Sequence, residues 1–388
     1  CGAASGRTQA VIEFKLPSLG SDMDEGTLVA WHVAPGQAVK KGDVIAVVDT
    51  TKAAIAVECW HDGVVDRLVT QVGERIPVGT VMALLRAPGE AVATSAAPQG
   101  TTPGRQRATP AARQRAVELG VDLAGIVGTG EAGAITRDDV EQAATRAASD
   151  LTAKPATTMA DRATEMRKSI AAAMSRSKRE IPHYYLSETV PMRRALDWLR
   201  SANAERPVAA RLLPAVLLLK AVGLTVRDFP EMNGLYVDGV FRPASAAHIG
   251  VAISLRQGGL VAPALHDVGS KSLDELMREL AGLVKRCRAG SLRSSEMSDP
   301  TITVTNLGDE GVESVFGVIY PPQVALVGFG RVADRPWVDG PAVVTMPVLC
   351  ATLAADHRVG DGHRGAMFLA RLRDRLQAPD ELQGERRE

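Results

Sequence analysis

The string "ADHRVGDG", residues 355–362, places His357 and Asp361 four residues apart. It follows an apolar run typical of a strand and precedes a helical pattern, so His357 is predicted at a strand end before a glycine-rich turn. Catalytic groups of α/β proteins commonly lie on such loops, held by a rigid frame. An imidazole with a pKa near about 6.5 can accept a proton at neutral pH. The string makes His357 a candidate catalytic group; because a bare HxxxD spacing is common, a buried, hydrogen-bonded histidine is the alternative.

A second candidate is Lys52 in "VVDTTKAAIAVE", which lies between two apolar runs. These runs predict a β-hairpin with Lys52 at the tip of its turn. An ordinary solvated turn lysine is the alternative.

An internal repeat frames this lysine. Residues 25–48 and 62–85 align without gaps, and three pairs of glycines coincide: Gly26 with Gly63, Gly36 with Gly73, and Gly42 with Gly79. Short alternating strands with glycines in the turns predict two similar four-stranded units packed as a flattened barrel or sandwich. Lys52 falls between the two halves.

Composition limits the function classes. The chain has 388 residues and a formal net charge of zero, which predicts two or three domains and argues against a general nucleic-acid or anionic-membrane binder. The longest apolar stretch is interrupted by Pro214 and Lys220, so no membrane span is predicted. Four cysteines without a CxxC spacing signal neither a zinc site nor a disulfide framework, and they predict a reducing compartment.

Two stretches rich in Ala, Pro, Thr and Ser contain few large apolar residues and are predicted to be linkers. The predicted plan is a folded segment over 11–86, a linker over 87–108, a second segment over 109–142, a linker over 143–160 and a third segment over 161–380.

The middle segment contains "GTGEAG", Gly128 to Gly133, which satisfies the GxGxxG spacing. A dinucleotide fold also needs a βαβ unit around this string, and the segment is too short to hold one. Thr109 and Pro110 predict the start of one helix and Thr136 the start of another, so the segment is predicted to be helix, loop, helix.

The third segment alternates helical and strand patterns, which predicts an α/β domain with a mixed sheet. Ser272 and Glu275 have the spacing of a capping box at the start of a helix, and Cys287 lies on the apolar stripe of that helix. We therefore expect Cys287 to be part of the core.

The first segment resembles the lipoyl domain of the 2-oxo acid dehydrogenase complexes. Around the modified lysine that family has a pattern close to "ETDKA", and this chain has Asp49-Thr50-Thr51-Lys52-Ala53, with Thr51 in the place of the acidic residue. The resemblance implies an all-β barrel-sandwich with lipoate attached to Lys52. A biotinyl domain is the rival, but that family flanks its lysine with methionine on both sides.

The middle segment, "TPAARQRAVELGVDLAGIVGTGEAGAITRDDV", resembles the peripheral subunit-binding domain of the same complexes. The resemblance implies docking of dihydrolipoamide dehydrogenase or of the 2-oxo acid decarboxylase component. Arg113 matches one family arginine that contacts the partner, whereas Ala134 stands where the family has a second arginine.

The third segment resembles the dihydrolipoamide acyltransferase catalytic domain, whose α/β fold is like that of chloramphenicol acetyltransferase. The likeness lies in "EMRKSIAAAMSRSKREIPHYYL", "TITVTNLG" and "ATLAADHRVGDG". It implies acyl transfer to coenzyme A, with His357 as base and Thr305 donating to the oxyanion. Asp361 is assigned to the local turn, paired with an arginine such as Arg167.

In that family the active site forms between two subunits of a homotrimer, and trimers assemble further into a cubic or larger shell. The resemblance implies that His357 of one subunit meets Thr305 of its neighbour. The polar residues after Leu382 leave a free trimer as the alternative. A lipoyl-bearing tethering subunit without transferase activity is the alternative function. The predicted location is the bacterial cytoplasm, with the mitochondrial matrix as the second possibility.

Overall fold

The computed structural model describes residues 11–17, 23, 25–50, 54–86, 108–119, 128–130, 134–142, 159–255 and 259–383. The chain divides into two compact units, of which the first contains residues 1–89 and 162–388 and the second residues 90–161. Within the first unit, residues 14–85 and residues 190–382 build two separate hydrophobic cores.

The first of these cores lies inside a β-sandwich, as the repeat predicts. Its strands are β1 (Val11–Lys15), β2 (Glu25–Trp31), β3 (Ala38–Val39), β4 (Val44–Asp49), β5 (Ala54–Glu58), β6 (Gly63–Leu68), β7 (Arg75–Pro77) and β8 (Val81–Arg86). One sheet has the order β1-β8-β6-β3 and the other β5-β4-β2-β7. Each sheet takes strands from both halves of the repeat, so the two halves fold together.

The turn glycines of the repeat have matching backbones. The angle φ is 87° at Gly36 and 89° at Gly73, and it is 93° at Gly42 and 88° at Gly79. Only glycine adopts this conformation at little cost, which explains why the glycines recur at the same spacing.

The second unit contains helix α1 (Pro110–Leu119) and helix α2 over residues 137–142. Thr109 caps α1 as predicted, because its Oγ1 accepts a hydrogen bond from the amide of Ala112 at 3.2 Å. The described part of this unit has no βαβ arrangement, since its only β-type pairing is an isolated bridge between Ala108 and Ile135. The described residues therefore give no support to the dinucleotide interpretation of "GTGEAG".

Asp139 joins the loop of this unit to the start of α2. Its carboxylate accepts hydrogen bonds from the amides of Thr136 at 2.8 Å and Thr129 at 3.0 Å. These two backbone donors hold the pKa of Asp139 well below its usual value. Thr136 was predicted to start this helix, and Asp139 completes the cap.

The α/β part of the first unit has twelve strands and six helices within the described residues. The strands are β9 (His183–Pro191), β10 (Gly234–Val237), β11 (Val240–Pro243), β12 (Ile249–Val251), β13 (Ile253–Ser254), β14 (Leu260–Val261), β15 (Ala264–Leu265), β16 (Ser291–Arg293), β17 (Ile302–Asn306), β18 (Ala325–Phe329), β19 (Ala333–Asp339) and β20 (Ala342–Asp356). The helices are α3 (Met159–Glu180), α4 (Arg193–Asn203), α5 (Pro214–Asp228), α6 (Leu273–Ala289), α7 (Ser294–Ser298) and α8 (Gly362–Gln377).

The main sheet has the order β15-β12-β17-β18-β20-β19, and β9 also pairs with β20. Strands β12, β17 and β18 are parallel, whereas β20 is antiparallel to each of its partners, so the sheet is mixed as predicted. The capping box of α6 is present, with Ser272 accepting from the amide of Glu275 and the Glu275 carboxylate accepting in return. Cys287 is buried in the core, as predicted.

Helix α5 passes through the core of the α/β domain. Residues 208–228 are long and apolar enough by composition to cross a membrane, but 56% of the 18-residue apolar window within them is buried inside the protein. Lys220 is buried there, and its Nζ donates to the carbonyl oxygens of Gly269 at 2.9 Å and Lys271 at 2.6 Å. Burial lowers the pKa of Lys220 to about 8.

Candidate active site

His357 is the first residue after β20, as the sequence predicts. Its amide donates to the carbonyl oxygen of Pro182 at 3.0 Å, which ties the strand end to the start of β9. Its side chain is exposed, and the ring lies edge-on to the ring of Tyr184 with centroids 5.3 Å apart. The imidazole makes no hydrogen bond within the part of the chain that the structure describes, so its nitrogens are available to a reactant.

The two neighbours of His357 hold its backbone in place. Asp356 is buried, and its carboxylate accepts from Arg358 Nε at 2.9 Å and Nη2 at 2.6 Å. The guanidinium of Arg358 also lies 3.9 Å from the centroid of the Tyr236 ring. A bidentate pair with a stacked guanidinium is a rigid arrangement, so this loop presents the imidazole in a fixed place.

His183 lies beside this loop and was not singled out from the sequence. In the pairing of β9 with β20 it stands opposite Asp356. Its Nε2 accepts from the amide of Ile319 at 3.1 Å, so Nδ1 carries the proton and donates to the carbonyl oxygen of Ile181 at 2.9 Å. Burial lowers the pKa of His183. Both nitrogens of His183 are thus engaged, whereas the imidazole of His357 has no hydrogen-bond partner among the described residues.

Asp361 begins α8. Its Oδ1 accepts from the amide of Arg364 at 3.0 Å, and this hydrogen bond is the main reason why the pKa of Asp361 lies below its usual value. In the described residues of this chain it is not paired with Arg167, so the predicted partner is wrong. The carboxylate holds the turn by capping a helix instead, because the first amides of a helix need acceptors.

Thr305 lies on β17, and its distance from His357 follows from strand register. Thr305, Gly328 and Thr352 lie side by side on β17, β18 and β20, and His357 comes five residues after Thr352. At about 3.3 Å per residue and about 4.8 Å between strands, Thr305 and His357 of one chain lie roughly 19 Å apart. One chain therefore does not bring both groups to one reacting atom.

Tyr184 is a second residue that sequence reasoning missed. Its hydroxyl is buried without a hydrogen-bond partner among the described residues. Burial, together with the nearby carboxylates of Asp361, Glu231 and Asp356, raises the pKa of Tyr184 to about 12. The ring therefore stays neutral beside His357. The string "IPHYYL" supplies both His183 and Tyr184, but the sequence gives no sign of which ring lies against His357.

The predicted hairpin around Lys52 is present in its two strands. Asp49 on β4 pairs with Ala54 on β5. Lys52 itself lies outside the described residues, in the stretch of sequence between these two strands.

In the second unit, Arg113 is exposed on α1, where a partner can contact it. Ala134 lies just before the bridge residue Ile135.

Three family models match the chain: the catalytic domain of the 2-oxoacid dehydrogenases acyltransferase over residues 155–383, a model described as biotin-requiring enzyme over 12–85, and the e3 binding domain over 106–141. Along the chain, the ranges 12–85, 106–141 and 155–383 correspond to the first, the middle and the third segment of the sequence analysis.

Relatives resemble the chain over nearly its whole length. The dihydrolipoyllysine-residue acetyltransferase component of the pyruvate dehydrogenase complex of Rhizobium meliloti is 30% identical, over 95% of this chain and 98% of its own. The lipoamide acyltransferase component of the branched-chain alpha-keto acid dehydrogenase complex of Bacillus subtilis is 28% identical, over 96% and 99%. Among solved structures, a dihydrolipoamide acetyltransferase from Azotobacter vinelandii, studied for the catalytic roles of a serine, a histidine and an asparagine, has 27% identity and a TM-score of 0.53, over 56% of this chain and 90% of that chain.

Proposed function

The chain belongs to the family of 2-oxoacid dehydrogenase acyltransferases, and from this premise we propose that it transfers an acyl group from a dihydrolipoyl arm on Lys52 to coenzyme A within a 2-oxo acid dehydrogenase complex. The observation that carries the proposal is the free imidazole of His357, held on a rigid loop at the end of β20 while the neighbouring His183 is fully engaged. A tethering subunit without transferase activity would not need such a group.

His357 acts as the general base. A thiol with a pKa near about 8.5 is mostly protonated at neutral pH, so His357 accepts the thiol proton of coenzyme A and the thiolate attacks the acyl carbonyl. The lipoyl group, bound to Lys52, supplies the acyl group as a thioester. When the bond to the lipoyl sulfur breaks, His357 returns the proton to the leaving thiolate. The base is thus regenerated in each turnover.

Thr305 of a neighbouring subunit stabilises the negative charge that develops on the carbonyl oxygen. Its hydroxyl has no hydrogen-bond partner in the described part of its own chain, so it can donate to that oxygen. The separation of roughly 19 Å within one chain is the reason why we assign the two groups to different subunits of a homotrimer. Assembly of trimers into a larger cubic core extends this proposal.

Asp361 positions the loop rather than touching the reactants. In the Azotobacter enzyme the studied histidine and asparagine are four residues apart, the same spacing as His357 and Asp361 here. An aspartate and an asparagine both offer an oxygen to the first amides of a helix, which is the role that Asp361 has at the start of α8.

The test of the transferase is the rate of transfer from free acyl-dihydrolipoamide to coenzyme A. In His357→Ala this rate should fall by about 10²- to 10⁴-fold, whereas His32→Ala, an exposed histidine of the β-sandwich, should be as active as the wild type. An unchanged rate in His357→Ala would refute the assignment.

The arm is tested by intact mass. After expression with lipoate, the wild type should carry one lipoyl adduct, and Lys52→Arg should carry none. A biotin adduct, or a lipoyl group on another lysine, would show that Lys52 is not the attachment site.

The second unit is proposed to dock dihydrolipoamide dehydrogenase or the 2-oxo acid decarboxylase component. The exposed Arg113 would contact an acidic surface of the partner. Arg113→Glu should weaken binding in a calorimetric titration, while Gln114→Glu at the adjacent exposed position should not; equal affinities would remove Arg113 from the contact. The proposed location is the bacterial cytoplasm.

A further inference from the structure

Strand β16 belongs by sequence to the acyltransferase domain, yet among the described strands it pairs only with β5 of the lipoyl domain. The pairing is parallel, with Ser291 beside Ala54 and Arg293 beside Ala56. Without β16, β5 would be the edge of its sheet and would expose unpaired backbone groups. The acyltransferase domain thus adds a fifth strand to the lipoyl sheet, a recurrent way to bind a protein segment.

The carboxylate of Glu58 makes polar side-chain contacts between the two domains. Glu58, the last residue of β5, is buried, and its carboxylate accepts from Ser295 Oγ at 2.5 Å and lies 3.5 Å from Arg293 Nη1. The amide of Glu58 donates to Ser294 Oγ at 3.1 Å. All of these partners belong to the acyltransferase domain. A buried carboxylate needs such partners, so Glu58 makes the contact specific as well as stable.

The acyltransferase side of the contact is held by its own domain. Leu292 is buried in the core of that domain. The Glu296 carboxylate accepts from Arg286 Nε on α6 at 2.9 Å and from the amide of Arg293 at 2.9 Å. These contacts do not involve the lipoyl domain. The segment is therefore a preformed surface, which reduces the entropy lost on docking.

From these contacts we infer that residues 291–298 are a docking site for the lipoyl domain, which holds it at rest by strand addition to β5 and by the partners of Glu58. The inference rests on the proposed function in one respect: the domain over residues 11–86 carries the lipoyl arm. Strand β5 begins two residues after Lys52, so docking immobilises the strand that directly follows the attachment site. The contact consists of one short parallel pairing, the polar contacts of Glu58, and Met297, which packs against the cores of both domains. Docking competes with the visits of the arm to partner enzymes.

Amide hydrogen exchange on the full-length protein tests the contact from the lipoyl side. Glu58→Arg removes the carboxylate and places a cation beside Arg293, so the amides of β5 and β16 that face each other should exchange about tenfold to a hundredfold faster. The matched control is Glu13→Arg, an exposed glutamate on β1 in the other sheet, which should leave that exchange unchanged.

Ser295→Asp tests the same contact from the acyltransferase side and leaves the lipoyl sequence untouched. The new carboxylate faces Glu58, so exchange in β5 should accelerate even though the change lies in the other domain; Ser201→Asp, an exposed serine on α4, is the control. A docked arm is not available to partner enzymes. Added dihydrolipoamide dehydrogenase should therefore oxidise the reduced lipoyl arm of the Ser295→Asp variant at least about twofold faster than that of the wild type.

Unchanged β5 exchange in both Glu58→Arg and Ser295→Asp would overturn the docking site. Faster exchange without faster oxidation of the arm would overturn its role as a resting position. The proposed function is judged separately, by transfer from free acyl-dihydrolipoamide in the wild type and in His357→Ala, because that reaction uses no docked arm.

Discussion

Hybrid trimers offer a direct test of an active site shared between subunits. The register of β17, β18 and β20 puts Thr305 level with Thr352 and five residues away from His357 along β20. The resulting separation of roughly 19 Å is several times the roughly 3 Å over which a hydrogen-bond donor acts. If the two groups serve one reaction, they come from different chains.

Two defective chains should then complement each other. His357→Ala alone should lose about 10²- to 10⁴-fold of the rate, and Thr305→Val, which removes the hydroxyl but keeps the shape, about 10²- to 10³-fold. In a cyclic trimer that contains both variants, one of the three sites takes its histidine from a Thr305→Val chain and its threonine from a His357→Ala chain. That site is intact, so each mixed trimer should have about one third of the wild-type rate.

The assay uses co-expression of the two variants with different affinity tags and two successive purifications, which retain only mixed trimers. Transfer from acyl-dihydrolipoamide to coenzyme A is then measured for the mixed and the two parental preparations, with trimer size checked by light scattering. A mixed preparation no more active than its parents would refute the reasoning, because it would mean that both residues act within one chain.

Three further predictions concern stability. Tyr184→Phe removes a buried hydroxyl that has no hydrogen-bond partner among the described residues, so the free energy of unfolding should stay the same or rise by about 1 kcal/mol. As the pH rises from about 10, the usual unfolded value, to about 12, the folded pKa of Tyr184, the wild type should lose more stability than the variant, which pH-dependent urea unfolding will show. Asp139→Asn should speed amide exchange in residues 134–142 at neutral pH but not at low pH, because the lowered pKa of Asp139 stabilises the fold only above the unfolded pKa. Asp138→Asn is the exposed control. Equal exchange in the two variants at neutral pH would contradict the role of Asp139. Leu372 on α8 is buried, so Leu372→Ala should lower the free energy of unfolding by about 2–5 kcal/mol. The control Met367→Ala, at an exposed position of the same helix, should lower it by about 0.5 kcal/mol or less. Similar losses in the two variants would contradict the packing of α8.

Local patterns in the sequence predicted much of this protein. The repeated glycines determine the turns of the β-sandwich, because each needs a positive φ that other residues adopt only at a cost. The capping box at Ser272 and the apolar stripe through Cys287 predicted helix α6, and both depend on residues only a few positions apart. The string around His357 predicted a histidine at a strand end for the same reason, since strand, turn and helix follow one another there.

Contacts between residues far apart in the sequence were decided by the tertiary structure. The partner of Asp361 was predicted wrongly, because a carboxylate at a helix start is satisfied by the nearest amides before any distant arginine. That His183 is engaged while His357 is free depends on Ile319, which lies 136 residues away from His183. The pairing of β5 with β16 joins segments more than 200 residues apart and leaves no periodic signal. Sequence spacing records which residues are neighbours along a strand or helix, whereas strand register and packing decide which distant side chains meet.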